Sequence, residues 1–302
     1  MPLLLSVIMC ILCGCRAIGA PEETTISVTV PETTVAQFPA QVGNITLSEN
    51  AERVVSLSPA VVEIICELGA EARLVGVGQY CDYPESVKTL PVCGSAANPD
   101  FAAIKALEPD LLITQSPIAK KDVTLLNNSG IEVLILQSPK TIDEFYAEYE
   151  DIAKALYGNT LYEEKAETAI LPIKEAFSGI NNNFGDYILY VTENYDTAPD
   201  SIFAAEILNN FGENIGGGKV IPSFMTEKDE DGNRVTPENE ILRSGTVIYL
   251  PEYLESLADS DNDGVSDFED AAEVIVIPET LFMQTERPSG RIVGLIEFLE
   301  GA

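Results

Sequence analysis

The chain has 302 residues, with 17 Lys and Arg against 49 Asp and Glu, which gives a formal net charge of −32. This charge argues against nucleic acid as a partner, because proteins that bind it present a surface rich in Lys and Arg. The chain contains neither His nor Trp. Without His, Ser-His-Asp and Cys-His catalysis are excluded, and the commonest transition-metal ligand is missing.

The first segment in chain order is a short apolar run that ends in Leu12-Cys13-Gly14-Cys15. It is too short to span a bilayer and is typical of a signal peptide. Its end is similar to a bacterial lipobox, in which the last cysteine is lipidated and becomes the new N-terminus. We therefore expect a lipoprotein signal peptide at 1–14 and a lipid anchor on Cys15 in the cell membrane. A simple secretory signal is the alternative.

The next stretch, 15–45, is rich in Thr, Glu and Pro and is predicted to be a flexible tether. After it, short apolar runs alternate with amphipathic segments, a pattern that predicts parallel strands with helical crossovers. An N-terminal α/β lobe is expected at 46–157, in which Pro59 begins a helix that Ser58 caps. The predicted strands of this lobe are 54–57, 74–78, 111–114 and 133–136.

A break at Gly158 precedes a second helical pattern, which predicts a connecting helix at 158–182. Pro172 lies inside it and predicts a kink or a later start. A C-terminal α/β lobe is expected at 183–302, with strands at 187–191 and 247–250. The expected fold class is therefore α/β, with two Rossmann-like lobes whose parallel sheets are joined by one long backbone helix.

Three cysteines fall in the first lobe. Cys66 lies on the apolar face of a predicted helix and is expected to be a buried free thiol. Cys81 and Cys93 lie in two loops, and an oxidising exterior would permit a disulfide between them, although spacing alone does not establish one.

Five phrases stand in order along the two lobes: Ser58-Pro59 with Glu63 five residues after Ser58, Tyr80-Cys81-Asp82-Tyr83-Pro84, Leu107-Glu108-Pro109-Asp110, Gly212-Glu213-Asn214 and Arg287-Pro288-Ser289-Gly290-Arg291. Together they resemble the periplasmic-binding-protein family that serves ABC importers of vitamin B12, haem and iron-siderophores. The resemblance implies a substrate-binding receptor that captures a cobalamin-type or iron-chelate ligand between two lobes and delivers it to the permease and its ATPase. It also implies a monomer outside the cytoplasm and no catalysis.

The ligand site of such a protein is expected at the carboxyl ends of the parallel strands. Tyrosines there would suit a large planar chelate, because each offers a flat apolar ring and a hydroxyl group. Local packing of these tyrosines at strand ends is the alternative. The predicted ligand-binding residues are Ser58, Tyr80, Asp82, Tyr83, Ser95, Gln115, Tyr195 and Arg287.

The resemblance also implies that Glu63 and Glu206 lie on the outer rims of the two lobes and dock on arginines of the permease. Complementary charges of this kind set orientation and association rate more than affinity. The alternative is that both are ordinary solvated glutamates on helix surfaces.

The segment 259–270 fits the acidic loop pattern that binds calcium, with Gly264 at the sharp turn. It departs from the pattern at its last position, where an Asp replaces the usual Glu. We expect a structural Ca²⁺ ion here and no organic cofactor. A calcium-dependent cell-surface adhesion or signalling module derived from the same fold is the alternative function. The predicted calcium ligands are Asp259, Asp261, Asp263, Val265, Asp267 and Asp270.

Overall fold

The first lobe is built on a four-stranded parallel sheet with the order β4-β3-β5-β6. The structure is a computed structural model, and it describes residues 37–181, 185–192, 196–219, 246–259, 268, 273–278, 281 and 289–301. The strands are β3 (Val54–Ser56), β4 (Leu74–Val77), β5 (Leu111–Thr114) and β6 (Glu132–Ile135). They are short apolar runs because both faces of the sheet are covered.

An antiparallel hairpin of β1 (Ala40–Val42) and β2 (Ile45–Leu47) precedes this sheet. Asn44 in its turn accepts a hydrogen bond from the backbone nitrogen of Ile135, so the hairpin is attached to β6. The predicted tether boundary at residue 45 is therefore wrong, because the folded part of the chain already includes β1.

The first-lobe helices are α1 (Pro59–Glu67), α2 (Phe101–Ala106) and α3 (Lys120–Asn127), together with 3-10 helices at Glu71–Arg73 and Glu85–Thr89. Pro59 occupies the first turn of α1, as predicted. Asp100 caps α2, since its carboxylate accepts hydrogen bonds from the backbone nitrogens of Ala102 and Ala103 at 3.0 Å.

The two lobes are joined by the long helix α4 (Ile142–Gly179), which Thr141 caps through the backbone nitrogen of Glu144. The predicted break at Gly158 is confirmed, because its φ of 73° and ψ of −172° are not helical. The helix continues through Pro172. The connection thus begins earlier than the predicted 158–182, and its first half packs in the first lobe.

The second lobe repeats the strand order of the first, with a parallel sheet ordered β10-β9-β7-β8. In each lobe, the first and third strands in sequence lie at the centre of the sheet. The predicted class, α/β with two parallel-sheet lobes and a long helix, is confirmed. The elements are β7 (Gly185–Leu189), α5 (Phe203–Leu208), β8 (Gly212–Asn214), β9 (Val247–Pro251), a 3-10 helix at Glu252–Asp259, β10 (Glu273–Ile277) and α6 (Ser289–Glu300).

One hydrophobic cluster includes residues of both lobes and of α4. The fully buried ring of Phe145 on α4 lies 5.5 Å, centroid to centroid, from the ring of Phe203 on α5. Farther along, α4 packs against α6. Within the described residues, no helix is both long and apolar enough to cross a membrane.

Candidate functional site

The carboxyl ends of the first-lobe strands meet at one edge of the sheet, because the strands are all parallel. Ser58 follows β3, Tyr80 follows β4 and Gln115 follows β5. The backbone nitrogen of Gln79 donates to the carbonyl oxygen of Gly94 at 2.7 Å, which brings Ser95 beside the loop of Tyr80. The structure therefore gathers the predicted first-lobe ligand residues at one edge.

Two tyrosines in the loop after β4 are exposed to solvent. Tyr80 is 67% exposed and Tyr83 is 51% exposed, and Asp82 between them is exposed as well. Large aromatic side chains are usually buried, so two of them on one exposed loop indicate a binding surface.

Ser58 lies below this surface, with only 3% of it exposed. Its hydroxyl oxygen accepts a hydrogen bond from the backbone nitrogen of Gln115 at 2.8 Å. It makes no capping bond to α1, although it occupies the capping position. The prediction that its side chain caps the helix is wrong, because the neighbouring strand end competes for the hydroxyl.

Gln115 is held by its side chain too. Its amide nitrogen donates to Oε1 of Glu148 at 2.8 Å, and Glu148 is only 4% exposed on α4. The sequence interpretation missed Glu148. A signal was present, since Glu148 lies three residues after Phe145 and four before Ile152, both of which face the core.

A second feature absent from the sequence interpretation is a cavity of about 410 Å³ beside this edge. It lies between the turn of the β1–β2 hairpin, the loop after β6 and the start of α4. Burial raises the pKa of Asp151 in its wall above the ordinary value, and the nearby Lys154 opposes this shift. The lining residues include Gln137, Ser138, Lys140, Glu144, Glu148 and Asp151.

The two predicted docking glutamates have different surroundings. Glu206 is half-buried on α5. Glu63 is only 2% exposed, because it belongs to a continuous buried run of α1 from Ala60 to Ile65. The expectation that Glu63 lies on an exposed rim is therefore wrong in this structure, and its docking role stays a prediction.

The carboxyl edge of the second-lobe sheet carries another exposed tyrosine. Tyr253 follows β9, is 45% exposed, and donates its hydroxyl to the carbonyl oxygen of Val191 at 3.2 Å. Sequence reasoning missed it, although its position two residues after a buried strand was visible. The predicted ligand residues Tyr195 and Arg287 lie outside the described residues.

The cysteines of the first lobe are buried or half-buried thiols. Cys93 is a buried free thiol, so no disulfide joins it to Cys81. Cys66 is a half-buried free thiol, and burial together with Glu71, Glu63 and Glu67 raises its pKa to about 12.

Most of the predicted calcium loop lies outside the described residues, as does the lipidation site Cys15. Asp259 ends the 3-10 helix Glu252–Asp259, whereas Asp261, Asp263, Val265, Asp267 and Asp270 are not described. Phe268, within the loop, is buried with its ring centroid 5.4 Å from that of Tyr190. In the part of the chain that the structure describes, no group of three Asp, Glu, Cys or His could hold a metal ion.

The structure is thus a two-lobed α/β protein. Its two parallel sheets share one strand order, are joined by a long helix and carry exposed tyrosines at their strand ends. Residues 54–183 match the family model described as periplasmic binding protein. The resemblance found in the sequence is thereby confirmed.

Among curated proteins, a cobalamin-binding protein of Halobacterium salinarum is 26% identical over 194 residues, which cover 62% of this chain and 52% of that protein. A vitamin B12-binding protein of Yersinia pestis is 32% identical over 108 residues, covering 35% of this chain and 38% of that protein. The chain thus spans about half the length, or less, of the curated relatives it matches.

Solved structures resemble nearly the whole described fold. The periplasmic vitamin B12 binding protein of Vibrio cholerae is 20% identical with a TM-score of 0.55, covering 83% of this chain and 96% of that one. The periplasmic haem binding protein of the same organism is 18% identical with a TM-score of 0.59, covering 82% and 97%. At these identities the likeness shows the fold alone.

Proposed function

We propose that this protein is the substrate-binding receptor of an ABC importer and captures a cobalamin-type or iron-chelate ligand, such as a siderophore or haem, between its lobes. The observation that carries the proposal is the pair of exposed tyrosines, Tyr80 and Tyr83, at the carboxyl edge of the first sheet. Tyr253 at the corresponding edge of the second sheet supports it. The named ligands of the relatives, vitamin B12 and haem, belong to the same chemical class.

A planar chelate buries a large apolar face when tyrosine rings pack on it, and the hydroxyl groups can reach its polar rim. We expect the two lobes to move little as the ligand is captured, because one hydrophobic cluster around Phe145 includes residues of both lobes. The receptor would be a monomer, anchored outside the cytoplasm through lipid on Cys15, and Glu206 would contribute to docking on the permease.

Ligand binding tests this proposal directly. The chain has no Trp, so tyrosine emission is available without interference and can be combined with thermal shift. We expect one of cyanocobalamin, cobinamide, haem and a ferric siderophore to bind at sub-micromolar concentration. Replacing Tyr80 or Tyr83 by Ala should weaken that binding by about 10-fold or more.

Leu171→Ala is the matched control, because Leu171 is also exposed, at 46%, but lies on α4 away from the strand ends. It should leave affinity unchanged. If none of the four ligands binds in the presence of calcium, the receptor proposal is rejected and the adhesion or signalling module is favoured.

We also propose that 259–270 binds a structural Ca²⁺ ion. The acidic loop pattern supports this, since several carboxylates close together repel each other without a cation. The buried ring of Phe268 supports it as well, because ordering the loop would fix its attachment to the second-lobe core. Calcium at millimolar concentration should release heat and raise the melting temperature, and Asp261→Asn with Asp263→Asn should abolish both effects. No heat and no thermal shift with the unmodified chain would reject this site.

A further inference from the structure

Gln115, at the candidate ligand edge, is fixed from two sides. Its backbone nitrogen donates to the hydroxyl of Ser58 and its side-chain nitrogen donates to Glu148, both at 2.8 Å. Ser58 and Glu148 are both buried, at 3% and 4% exposure. The bond to Ser58 fixes the backbone of Gln115 and the bond to Glu148 fixes the end of its side chain, so Gln115 presents the same atoms to every ligand that reaches this edge.

The partner Glu148 decides which atoms those are. Oε1 of Glu148 accepts the hydrogen bond from the amide nitrogen of Gln115, so the amide oxygen of Gln115 is turned away from Glu148. Among the residues that the structure describes, no group donates to this amide oxygen, and it has lone pairs available for a ligand.

We infer that Glu148 is a positioning residue that makes Gln115 a hydrogen-bond acceptor for the ligand, and that the site selects a chelate with N–H or O–H donors on its rim. This inference rests on the proposed receptor function. A chelate bearing primary amides, such as a corrinoid, supplies such donors. A chelate bearing carboxylates places acceptor against acceptor at Gln115 and is disfavoured.

The charges at this edge favour the same ligand class. The described residues predicted to contact the ligand are Ser58, Tyr80, Asp82, Tyr83, Ser95 and Gln115. They include one exposed carboxylate, Asp82, and no Lys or Arg. A ligand carboxylate placed beside Asp82 would therefore meet like charge, whereas a neutral amide would not.

Two corrinoids with the same ring test the inference. Cobinamide carries amides around its rim, and cobyrinic acid carries carboxylates at the corresponding positions. The unmodified protein should bind cobinamide at least 10-fold more tightly. In Glu148→Gln the new side chain offers Gln115 both a donor and an acceptor, so the amide of Gln115 can rotate by 180° and present its nitrogen to the ligand. The ratio of the affinities for cobinamide and cobyrinic acid should then fall by 5-fold or more, partly because cobyrinic acid binds more tightly.

Glu150→Gln is the matched control, because Glu150 is exposed on the same helix, and it should leave the ratio unchanged. Gln115→Met removes the acceptor and should also reduce the ratio of the two affinities. This variant replaces Glu148→Gln in the test if Glu148→Gln does not fold. A merely structural role for Glu148 would weaken both ligands equally and would overturn the inference.

The outcomes separate the inference from the proposed function. Equal affinities of the unmodified protein for the two corrinoids, or tighter binding of haem than of cobinamide, would overturn the inference and leave the receptor proposal standing. Failure to bind any corrinoid, haem or siderophore would overturn both.

Discussion

The two lobes share one strand order, yet their ligand-facing edges are built differently. In the first lobe the loop after β4 exposes Tyr80 and Tyr83, while Gln115 behind it is fixed by buried partners. In the second lobe Tyr253 is exposed, and its hydroxyl is bonded to the backbone of Val191. The shared topology therefore fixes where a site can form, and the loops that follow each strand decide its chemistry.

The lobes differ in their packing as well. Each has a separate hydrophobic cluster on one face of its sheet, around Val55 and Ile104 in the first lobe and around Ile188 and Leu250 in the second. The opposite faces share one cluster through α4. Substitutions in the shared cluster should destabilise both lobes, whereas substitutions in a separate cluster should first destabilise the lobe that contains it.

The largest effect is expected from Phe145→Ala in the shared cluster. Phe145 is fully buried and packs against Tyr149 and Phe203, so its loss should lower the free energy of unfolding by about 3–5 kcal/mol. Urea unfolding followed by circular dichroism and by tyrosine emission should show both signals shifting together. Ile104→Ala, in the separate first-lobe cluster, is the control. If unfolding of Phe145→Ala split into two separate transitions, the lobes would not be coupled through α4.

A smaller loss is expected from Gly158→Ala, at the boundary between the two halves of α4. The φ of 73° and ψ of −172° are open mainly to glycine, and an added Cβ would lie 2.5 Å from the carbonyl oxygen of Gln37. The free energy of unfolding should fall by about 2–4 kcal/mol.

Gly179→Ala is the control for this change, because an added Cβ there meets nothing within 4 Å. It should be neutral or slightly stabilising in the same urea experiment. Equal losses in the two variants would show that the kink does not depend on a glycine.

The smallest effect has the opposite sign. Burial raises the folded-state pKa of Asp151 above 3.8, so the folded protein holds this proton more tightly than the unfolded chain does. The ionised side chain therefore costs stability once the pH exceeds the folded-state pKa, and the cost disappears below the unfolded-state pKa. Asp151→Asn should stabilise the protein at pH 7 by less than about 1 kcal/mol.

Melting temperatures measured between pH 3 and 7 test this pH dependence. The gain from Asp151→Asn should shrink toward zero as the pH falls through 4. A constant gain across this range would mean that ionisation of Asp151 is not its cause.

The strands were predictable because they are continuous apolar runs between breaks in the pattern. The predicted strand at 111–114 coincides with β5, and it follows Pro109 and Asp110 directly. The halves of α4 were predictable for a similar reason, since Gly158 interrupts one helical pattern and begins another. Local sequence carries both kinds of signal.

The errors concern partners that are distant in the sequence. Ser58 has the right position for a helix cap, but its hydroxyl bonds to the backbone of Gln115, which lies 57 residues away. Glu63 has the spacing of a surface residue, yet it is buried in α1. Tertiary packing decides whether a side chain bonds locally or to a distant partner, and it decides how many faces of a helix are buried. The periodicity of the sequence specifies neither.

The thiols of the first lobe make this protein suitable for distance measurements with attached spin labels. The thiolate is the form of cysteine that attacks labelling reagents, and with a pKa of about 12, Cys66 is almost entirely protonated at pH 8. Cys93 is buried, and Cys81 is only 7% exposed. New cysteines at the exposed positions Val92 and Ser256 would therefore be modified well before these three. The distance between the two labels would report how far the lobe edges approach each other when a ligand binds.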